Sequence, residues 1–343
     1  MILPGEAAPA APEVTYAASM GGRGPGQRGF AHVSARAWLA FVALGITWGL
    51  PYLLIKIAVQ ELSPFDVAWG RITFAALILL PIAWHRGALR GLAAHKGPIL
   101  AFALVEFAIP FCTISMGERW IPSSVTAILI ATVPLTIALL SRFFGVHERL
   151  GAMRLTGLAV GLGGVVALVG FGSLSGTLAW TGVGCVIVAT VCYAVGALII
   201  QRHLHAVDSI GPIAVSLSIA SCLLLVPAML SLPQRIPGTV ALSSVAALGL
   251  VCTALSMLLM FYLVKNAGAS RASIVTYINP AVATLLGMAV LDERLGAWGL
   301  TGFGLILCGS WLATRRSASA HRPLHHPRHH VDVQVVHDPD GAA

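Results

Sequence analysis

The 343-residue chain is 57% hydrophobic and only 10% charged, and its formal net charge is +8. A soluble domain carries about 25% charged residues, so this composition excludes a soluble protein and indicates a polytopic membrane protein. The basic residues lie mainly between the apolar runs, which favours the lipid bilayer as a partner and argues against nucleic acid.

Residues 1–36 are rich in Gly, Pro and Ala and lack the apolar core of a signal peptide, so a disordered cytoplasmic tail is predicted, with Met20 as an alternative start. A G-x-G-x-x-G match at 24–29 follows no predicted strand, so no nucleotide cofactor is expected. The six cysteines all fall in apolar runs, which indicates neither disulfides nor a metal site.

From residue 37 onward, apolar segments alternate with short polar connections. A helix needs about 20 apolar residues to cross a bilayer, so each segment is predicted to be a transmembrane helix. The runs are continuously apolar rather than alternating, which excludes a membrane β-barrel. The ten predicted helices are 37–58, 66–84, 98–116, 123–144, 153–171, 177–200, 210–231, 240–264, 271–291 and 297–314.

The positions of Lys and Arg predict the orientation, because cytoplasmic loops carry an excess of both. With both termini in the cytoplasm, the loops on the opposite side contain only Arg119, Arg235 and Arg294 of the 21 basic residues. Lys56 and Arg71 fall inside predicted helices, and all the others are cytoplasmic. The uneven distribution of Lys and Arg also supports an even number of helices. One missed crossing would exchange the sides of all later loops and remove the excess of basic residues on one side.

The sequence Glu-Arg-Leu-Gly-Ala occurs twice, at 148–152 and at 293–297, and further matches extend the duplication over 37–171 and 177–314. Each half has five predicted helices, an odd number, so the second half must be inverted in the membrane. Inverted repeats are typical of secondary transporters, whose sites lie near the bilayer midplane where the halves meet. Glu148 and Glu293 precede helices five and ten and are interpreted as starters of those helices.

With these features the chain resembles the EamA family of the drug/metabolite transporter superfamily. The residues that carry the resemblance are Trp48-Gly49, Lys56, Arg71, Pro134, Glu148-Arg149-Leu150, Ala269-Ser270-Arg271-Ala272, Pro280 and Glu293-Arg294-Leu295. The resemblance implies an all-α bundle of ten helices, built as two inverted five-helix repeats around a central cavity in the bacterial inner membrane. It also implies export of small metabolites such as amino acids, amines or drug-like compounds.

Three charged residues inside the predicted helices, namely Lys56, Arg71 and Glu106, are candidates for a functional role. Glu106 is mid-helix with no adjacent cation, and desolvation there disfavours its charged form. It is predicted to take part in proton coupling or to contact a cationic substrate, and a structural role in helix packing is the alternative. Lys56 and Arg71 are interpreted as cations that snorkel to the interface, or instead as an exit gate with Glu61, Asp66 or Glu118.

Two prolines are predicted to interrupt helices that line the cavity. A proline removes a backbone donor and frees the carbonyl four residues earlier, which is tolerated in a membrane where it faces a cavity. Pro134 in helix four and Pro280 in helix nine are repeat counterparts. Further residues predicted to bind substrate, or alternatively to form an interfacial belt, are Trp48, Tyr52, Tyr193, Tyr262, Tyr277 and Asn279.

The glycines of helices five and ten, including Gly157, Gly164, Gly302 and Gly309, predict close helix packing, with a dimer face as the alternative. A monomer and a homodimer therefore both stay open. The His-rich tail at 315–343 is predicted to be a disordered cytoplasmic segment rather than a metal site.

The predicted function is secondary active transport of a small-molecule substrate by alternating access. A sugar-phosphate or nucleotide-sugar antiporter of the same superfamily is the alternative, although an anionic substrate would want several basic residues in the cavity. An intramembrane enzyme is disfavoured because no H-E-x-x-H or G-x-S-x-G motif occurs and no His lies within the predicted spans.

Overall fold

The computed structural model describes residues 35–141, 152–170, 176–205, 207–267 and 275–314. Regular structure in these ranges is entirely helical. The predicted tails, the first copy of the repeated motif with Glu148, and Ala269-Ser270-Arg271-Ala272 lie outside the described residues.

Helices occupy all the predicted positions within the described ranges. They are α1 (Ala35–Ala58), α2 (Pro64–His85), α3 (Leu92–Gly117), α4 (Ser123–Leu140), α5 (Ala152–Gly170), α6 (Thr177–Leu204), α7 (Ile210–Leu230), α8 (Thr239–Asn266), α9 (Val275–Val290) and α10 (Ala297–Thr314). By length and apolar composition, seven of the described helices can cross a membrane, namely α1–α4 and α6–α8. The apolar stretches of α5, α9 and α10 are shorter.

The helix starts follow from local sequence, as α2 illustrates. The Ser63 hydroxyl accepts a hydrogen bond from the backbone amide of Asp66 at 3.1 Å, and the Asp66 carboxylate accepts one from the amide of Ser63 at 3.2 Å. Pro64 occupies the first helical position, where its missing N–H costs nothing. Asp66 is thus committed to a capping box and forms no gate with Lys56 or Arg71.

The third helix of each repeat is widened at the same place. A π-helical turn covers Ala103–Ala108 in α3, and another covers Leu250–Leu255 in α8. These segments correspond in the duplication, so the irregularity is a shared feature of both repeats. π-Turns occur frequently at functional sites because they redirect side chains out of the regular helical pattern. Here they carry Glu106 in one repeat and Thr253 in the other.

The two repeats pack against each other in matched pairs. The second helices, α2 and α7, pack together, as do the fifth helices, α5 and α10. The first helix of each repeat packs against the fourth of the other, giving the pairs α1–α9 and α6–α4. This reciprocal exchange is what a pseudo-two-fold axis between equivalent halves requires.

Glycines allow α5 and α10 to approach at backbone distance. A Cβ added at Gly164 would lie 2.8 Å from the carbonyl oxygen of Gly302, and one added at Gly157 would lie 2.5 Å from the amide nitrogen of Ala313. A side chain at either position would therefore force the helices apart. The predicted glycine faces are used for packing within this chain.

Candidate functional site

A cavity of about 790 Å³ lies where the two repeats meet. Its volume falls within the range of about 300–1,000 Å³ that is usual for small-molecule sites. It brings together most of the residues singled out in the sequence, namely Trp48, Tyr52, Arg71, Glu106, Pro134, Tyr193, Tyr277, Asn279 and Pro280. Tyr262 is 38% exposed and Lys56 lies elsewhere, so neither of these two lines the cavity.

Arg71 of α2 is buried in the cavity wall. Its Nε donates a hydrogen bond to the hydroxyl of Thr253 at 2.9 Å, and its guanidinium carbon lies 3.9 Å from the ring centroid of Phe111. The aromatic face and the hydroxyl partly replace the lost hydration of the cation. The interpretation of Arg71 as a cation that snorkels to the interface is therefore wrong, because the side chain is enclosed between α2, α3 and α8.

Glu106 reaches the cavity from the π-turn of α3. Its carboxylate packs directly against Gly196 of α6, where a Cβ would collide with Oε2. No hydrogen bond to the Glu106 carboxylate occurs within the described part of the chain. The carboxylate is therefore available to a proton or to a bound cationic group. Tyr193, also in the wall, is within electrostatic range of both Glu106 and Arg71.

Tyr52 of α1 and Asn279 of α9 connect the two repeats across the cavity wall. Both side chains line the cavity, and they lie close enough to each other to interact electrostatically. The Asn279 oxygen Oδ1 is buried and has no hydrogen-bond partner among the described residues. An unsatisfied buried acceptor costs about 1–3 kcal/mol, which a ligand donor at this position would recover. Because Asn279 belongs to the cavity wall, its amide oxygen is a candidate acceptor for a ligand besides Glu106.

The two prolines both line the cavity but act differently on their helices. α4 is interrupted at Ala131 and Thr132 before Pro134, and the carbonyl of Ala131 accepts a hydrogen bond from the hydroxyl of Ser310 at 3.1 Å. α9, in contrast, continues through Pro280, so the predicted interruption there is wrong. A proline removes a single helical hydrogen bond, and the turns on either side can hold the helix together.

One end of the bundle is closed by contacts between the repeats. We call it the capped end and define it by Lys56, Glu118, Ser123, Ser124 and Glu293. The Glu293 carboxylate accepts hydrogen bonds from the backbone amides of Ser123 at 2.7 Å and Ser124 at 2.9 Å, which are the first residues of α4. The interpretation of Glu293 as the starter of its own helix α10 is therefore corrected, because its carboxylate caps α4 of the other repeat.

Lys56 belongs to the capped end rather than to the cavity. Its ammonium group donates to the backbone carbonyl of Glu118 and to that of Ile121 at 2.9 Å. Lys56 is thus brought next to Glu118, one of the three acids predicted as gate partners, whereas Arg71 lies in the cavity wall. Glu61 is also committed elsewhere, since its carboxylate accepts from the amide of Gly238 at 2.6 Å. A smaller cavity of about 340 Å³ at this end is lined by Lys56 and Glu293 among others.

Several residues of the cavity wall were not identified from the sequence. They are chiefly Phe107, Phe111, Thr253, Met257 and Trp311. Thr253 could have been found through the duplication, because it lies in the segment of α8 that corresponds to the segment around Glu106. The others are apolar side chains in apolar helices, and no local pattern separates a cavity wall from a lipid-facing surface.

The model of the EamA-like transporter family matches residues 35–170 and again residues 180–315, once for each repeat. The chain belongs to this family. The double match agrees with the duplication seen in the sequence and with the paired π-turns, and it makes this EamA-like chain an integral membrane protein related to transporters.

Curated relatives of this EamA-like chain cover nearly its whole helical region. The uncharacterized inner membrane transporter YedA of Escherichia coli is 28% identical over 80% of this chain and 89% of its own length. An uncharacterized transporter of Archaeoglobus fulgidus is 26% identical over 82% of this chain and 99% of its own. The protein PagO of Salmonella typhimurium is 26% identical over 72% of this chain and 83% of its own.

A solved crystal structure has the same fold as this EamA-like chain. It superposes with a TM-score of 0.58 at 20% sequence identity, and the match covers 81% of this chain and 96% of the other. At this level of identity the likeness concerns the fold alone.

Proposed function

We propose that the protein is a secondary active transporter of the bacterial inner membrane that exports small metabolites bearing an amino group, with amino acids and amines as the foremost class. The observation that carries this proposal is the central cavity, whose wall, as far as the described residues form it, holds the cation Arg71 and the carboxylate Glu106. Both groups lie near the middle of their helices, at the boundary between the repeats, where inverted-repeat transporters bind their substrates.

The charges of the wall complement a zwitterion. Arg71 uses Nε for Thr253, and its terminal nitrogens have no acceptor among the described residues, so they can hold a carboxylate. Glu106 and the Asn279 Oδ1 can accept from an ammonium group. Between them the wall is largely aromatic, with Trp48, Phe107, Phe111, Tyr193, Tyr277 and Trp311. Such a wall suits an apolar or aromatic substrate side chain.

The transport cycle we propose is alternating access in a ten-crossing bundle with both termini in the cytoplasm. In this orientation the capped end faces outward. The cavity wall includes Ile137, Ile200 and Trp311, which lie close to the cytoplasmic ends of α4, α6 and α10. The described conformation then corresponds to an inward-facing state in which the contacts of Glu293 and Lys56 close the outer end.

Proton coupling is part of the proposal, with Glu106 as the coupling residue. A carboxylate without a hydrogen-bond partner in a bilayer-embedded cavity favours its neutral form over its charged form. Binding of a cationic amine and binding of a proton to the same carboxylate would exclude each other. Such competition couples export of the substrate to entry of a proton when only the loaded carrier, with substrate or proton bound, changes between its two orientations.

The alternative of a sugar-phosphate or nucleotide-sugar antiporter has less support. Phosphate sites use several basic groups, but Lys56 is bonded to carbonyl oxygens at the capped end, which leaves Arg71 as the basic side chain of the described cavity wall. An enzyme also has less support, because among the described residues Glu106 is the only carboxylate in the wall and a second partner for acid–base chemistry is missing.

The test is transport in proteoliposomes. Purified protein is offered a panel of amino acids, their decarboxylated amines and sugar phosphates, each with and without an imposed proton gradient. We expect gradient-driven movement of amino acids or amines and none of sugar phosphates. Movement of sugar phosphates alone would overturn the proposed substrate class, and substrate movement that ignores the gradient would overturn the proposed coupling. Glu106→Gln protein in the same vesicles serves as the coupling control.

A further inference from the structure

Glu118, at the end of α3, is a second buried carboxyl group that the proposed transport mechanism does not use. Its side chain is fully buried. Neither carboxylate oxygen has a hydrogen-bond partner among the described residues. A buried carboxylate without donors is costly, and such a group normally gains a partner or becomes neutral. The unpartnered oxygens therefore point to a small ligand that the protein atoms do not supply.

The charged and titratable groups that face Glu118 come from every element packed around it. Lys56 of α1 donates to the backbone carbonyl of Glu118 itself and attracts its carboxylate. Glu293, in the connection before α10, repels it. Arg71 of α2 and Tyr52 of α1, both from the cavity side, are in weaker electrostatic contact with it.

The charges of the capped end do not balance when both acids are ionised. Lys56 carries one positive charge against the two negative charges of Glu118 and Glu293. The negative charge of Glu293 is well stabilised, because its carboxylate accepts from two backbone amides at the N-terminus of α4. Glu118 has no such donors. One added proton brings the net charge of Lys56, Glu118 and Glu293 to zero. Because Glu118 lacks hydrogen-bond donors, protonation of its carboxylate has the lowest free-energy cost.

A metal cation fits this place less well than a proton. The carbonyl oxygens of Glu118 and Ile121, which would be natural cation ligands, are already occupied by the ammonium group of Lys56. No group of three or more His, Cys, Asp and Glu side chains suited to a metal occurs in the described part of the chain. A proton needs no ligand shell and adds no volume, so it suits a fully packed position.

We propose that Glu118 is a proton-binding site that stabilises the closed capped end when it is protonated and favours opening of that end when it is ionised. The carboxylate exchanges one proton with water while the capped end is open, and closure of the protonated form buries that proton on a carboxylate oxygen. The small cavity lined by Lys56 and Glu293 brings solvent to the two charges that face Glu118. Proton binding at this site is separate from the substrate cavity and does not depend on the proposed substrate.

The direction of the pH effect follows from the surroundings of Glu118. Burial raises the pKa of its carboxyl well above the usual range; Lys56 and Arg71 oppose this shift, and Glu293 reinforces it. Opening hydrates the group and returns its pKa toward the normal value. The closed form is therefore favoured at low pH, and this preference is lost as pH rises through the raised pKa. For one proton, the ratio of closed to open protein falls by up to about tenfold per pH unit.

The test measures hydrogen–deuterium exchange of the peptide that starts α4, since the amides of Ser123 and Ser124 are protected by Glu293 only while the capped end is closed. Exchange is followed in lipid nanodiscs without substrate. Wild-type protein is compared at each pH with Glu118→Gln, a neutral mimic of the protonated acid, so that the intrinsic pH dependence of exchange cancels. Glu61→Gln, which alters an exposed acid at the same end, is the matched control.

We expect the ratio of wild-type to Glu118→Gln exchange to be near one at low pH and to rise with a single-proton slope at higher pH. Glu61→Gln should follow wild type. A ratio that stays flat over the whole pH range would overturn the proposal. Lys56→Met is a second test, which does not depend on folding of the Glu118→Gln variant. Lys56 opposes the raised pKa of Glu118, so its removal should move the midpoint of the exchange transition to higher pH. A midpoint that is unchanged or lower would also overturn it.

The exchange experiments contain no substrate, so they test proton binding by Glu118 independently of the proposed transport function. A negative result in either experiment therefore leaves the other proposal standing.

Discussion

The carboxylate of Glu293 accepts a hydrogen bond from the backbone amide of Ser124 at 2.9 Å, although the two residues are 169 positions apart and belong to different repeats. This contact ties the start of α4 to the connection that precedes α10. The positive end of a helix is thereby stabilised by an acid from the opposite half. Separation of the halves at this end must break the contact.

The first prediction concerns this cap. Replacing Glu293 by Ala removes the acceptor of two backbone amides, and loss of a helix cap costs about 0.5–2 kcal/mol. We expect a lower thermal unfolding temperature in detergent. We also expect faster amide exchange at the start of α4. The neighbouring change Asp292→Asn is the control, because Asp292 has a φ of 52°, a conformation that Asn tolerates well. Equal stability of the Glu293→Ala and Asp292→Asn proteins would contradict the role of the cap.

The second prediction concerns Arg71. Replacing it by Gln removes the cation proposed to hold the substrate carboxylate, and hydrogen bonds to charged groups are worth about 1.5–3 kcal/mol. We expect affinity for an amino acid to fall by about 10- to 100-fold, while affinity for the corresponding decarboxylated amine changes little. Competition binding with the two compounds measures the difference. If both lose affinity equally, Arg71 shapes the cavity rather than recognising a carboxylate.

The third prediction concerns Glu106. Its replacement by Gln keeps the shape of the side chain against Gly196 but cannot bind or release a proton. We expect exchange of substrate across the vesicle membrane to continue, or to weaken for amines, while accumulation driven by a proton gradient is lost. Counterflow and gradient-driven uptake in the same vesicles separate these effects. Gradient-driven uptake at the wild-type level would assign the coupling to another group.

The fourth prediction concerns the contact between α5 and α10. A Cβ at Gly164 would lie 2.8 Å from the backbone oxygen of Gly302, whereas one at the adjacent Gly163 has open space around it. Overpacking typically costs about 1–3 kcal/mol. We therefore expect Gly164→Ala to lower the thermal unfolding temperature and Gly163→Ala to leave it unchanged or raise it. The reverse order would mean that this helix pair does not pack as described.

The positions of the helices were predictable, whereas the partners of individual side chains were not. The predicted span 66–84 corresponds to α2, Pro64–His85, because the apolar run and the turn before it are both local signals. Glu293 was assigned to α10 for the same local reason, and that assignment was wrong because its true partners are far away in the sequence. Arg71 was likewise placed at an interface, although the packing of α2 against α8 encloses it.

Part of the candidate site was predictable, because prolines and charged residues stand out within apolar helices. Pro134 and Pro280 were selected because each was predicted to interrupt an apolar helix, and Glu106 because it is charged. The structure places all three in one cavity wall, although α9 continues through Pro280. Tyr262 was selected by residue type alone and lies outside that wall. The residue type shows that a side chain carries a polar group, but the rotation of its helix decides whether that group faces the cavity.

The sequence by itself determined that this protein is a membrane-embedded helical bundle made of two related halves. Transfer of each segment into lipid depends on its own composition, and duplication leaves a trace that needs no coordinates. Only the tertiary structure decided that Arg71 and Glu106 share a cavity while Lys56 joins Glu118 and Glu293 at the capped end. Those groupings depend on helix rotation, on the π-turns of α3 and α8 and on contacts between segments far apart in the chain, and none of these is encoded in a local pattern.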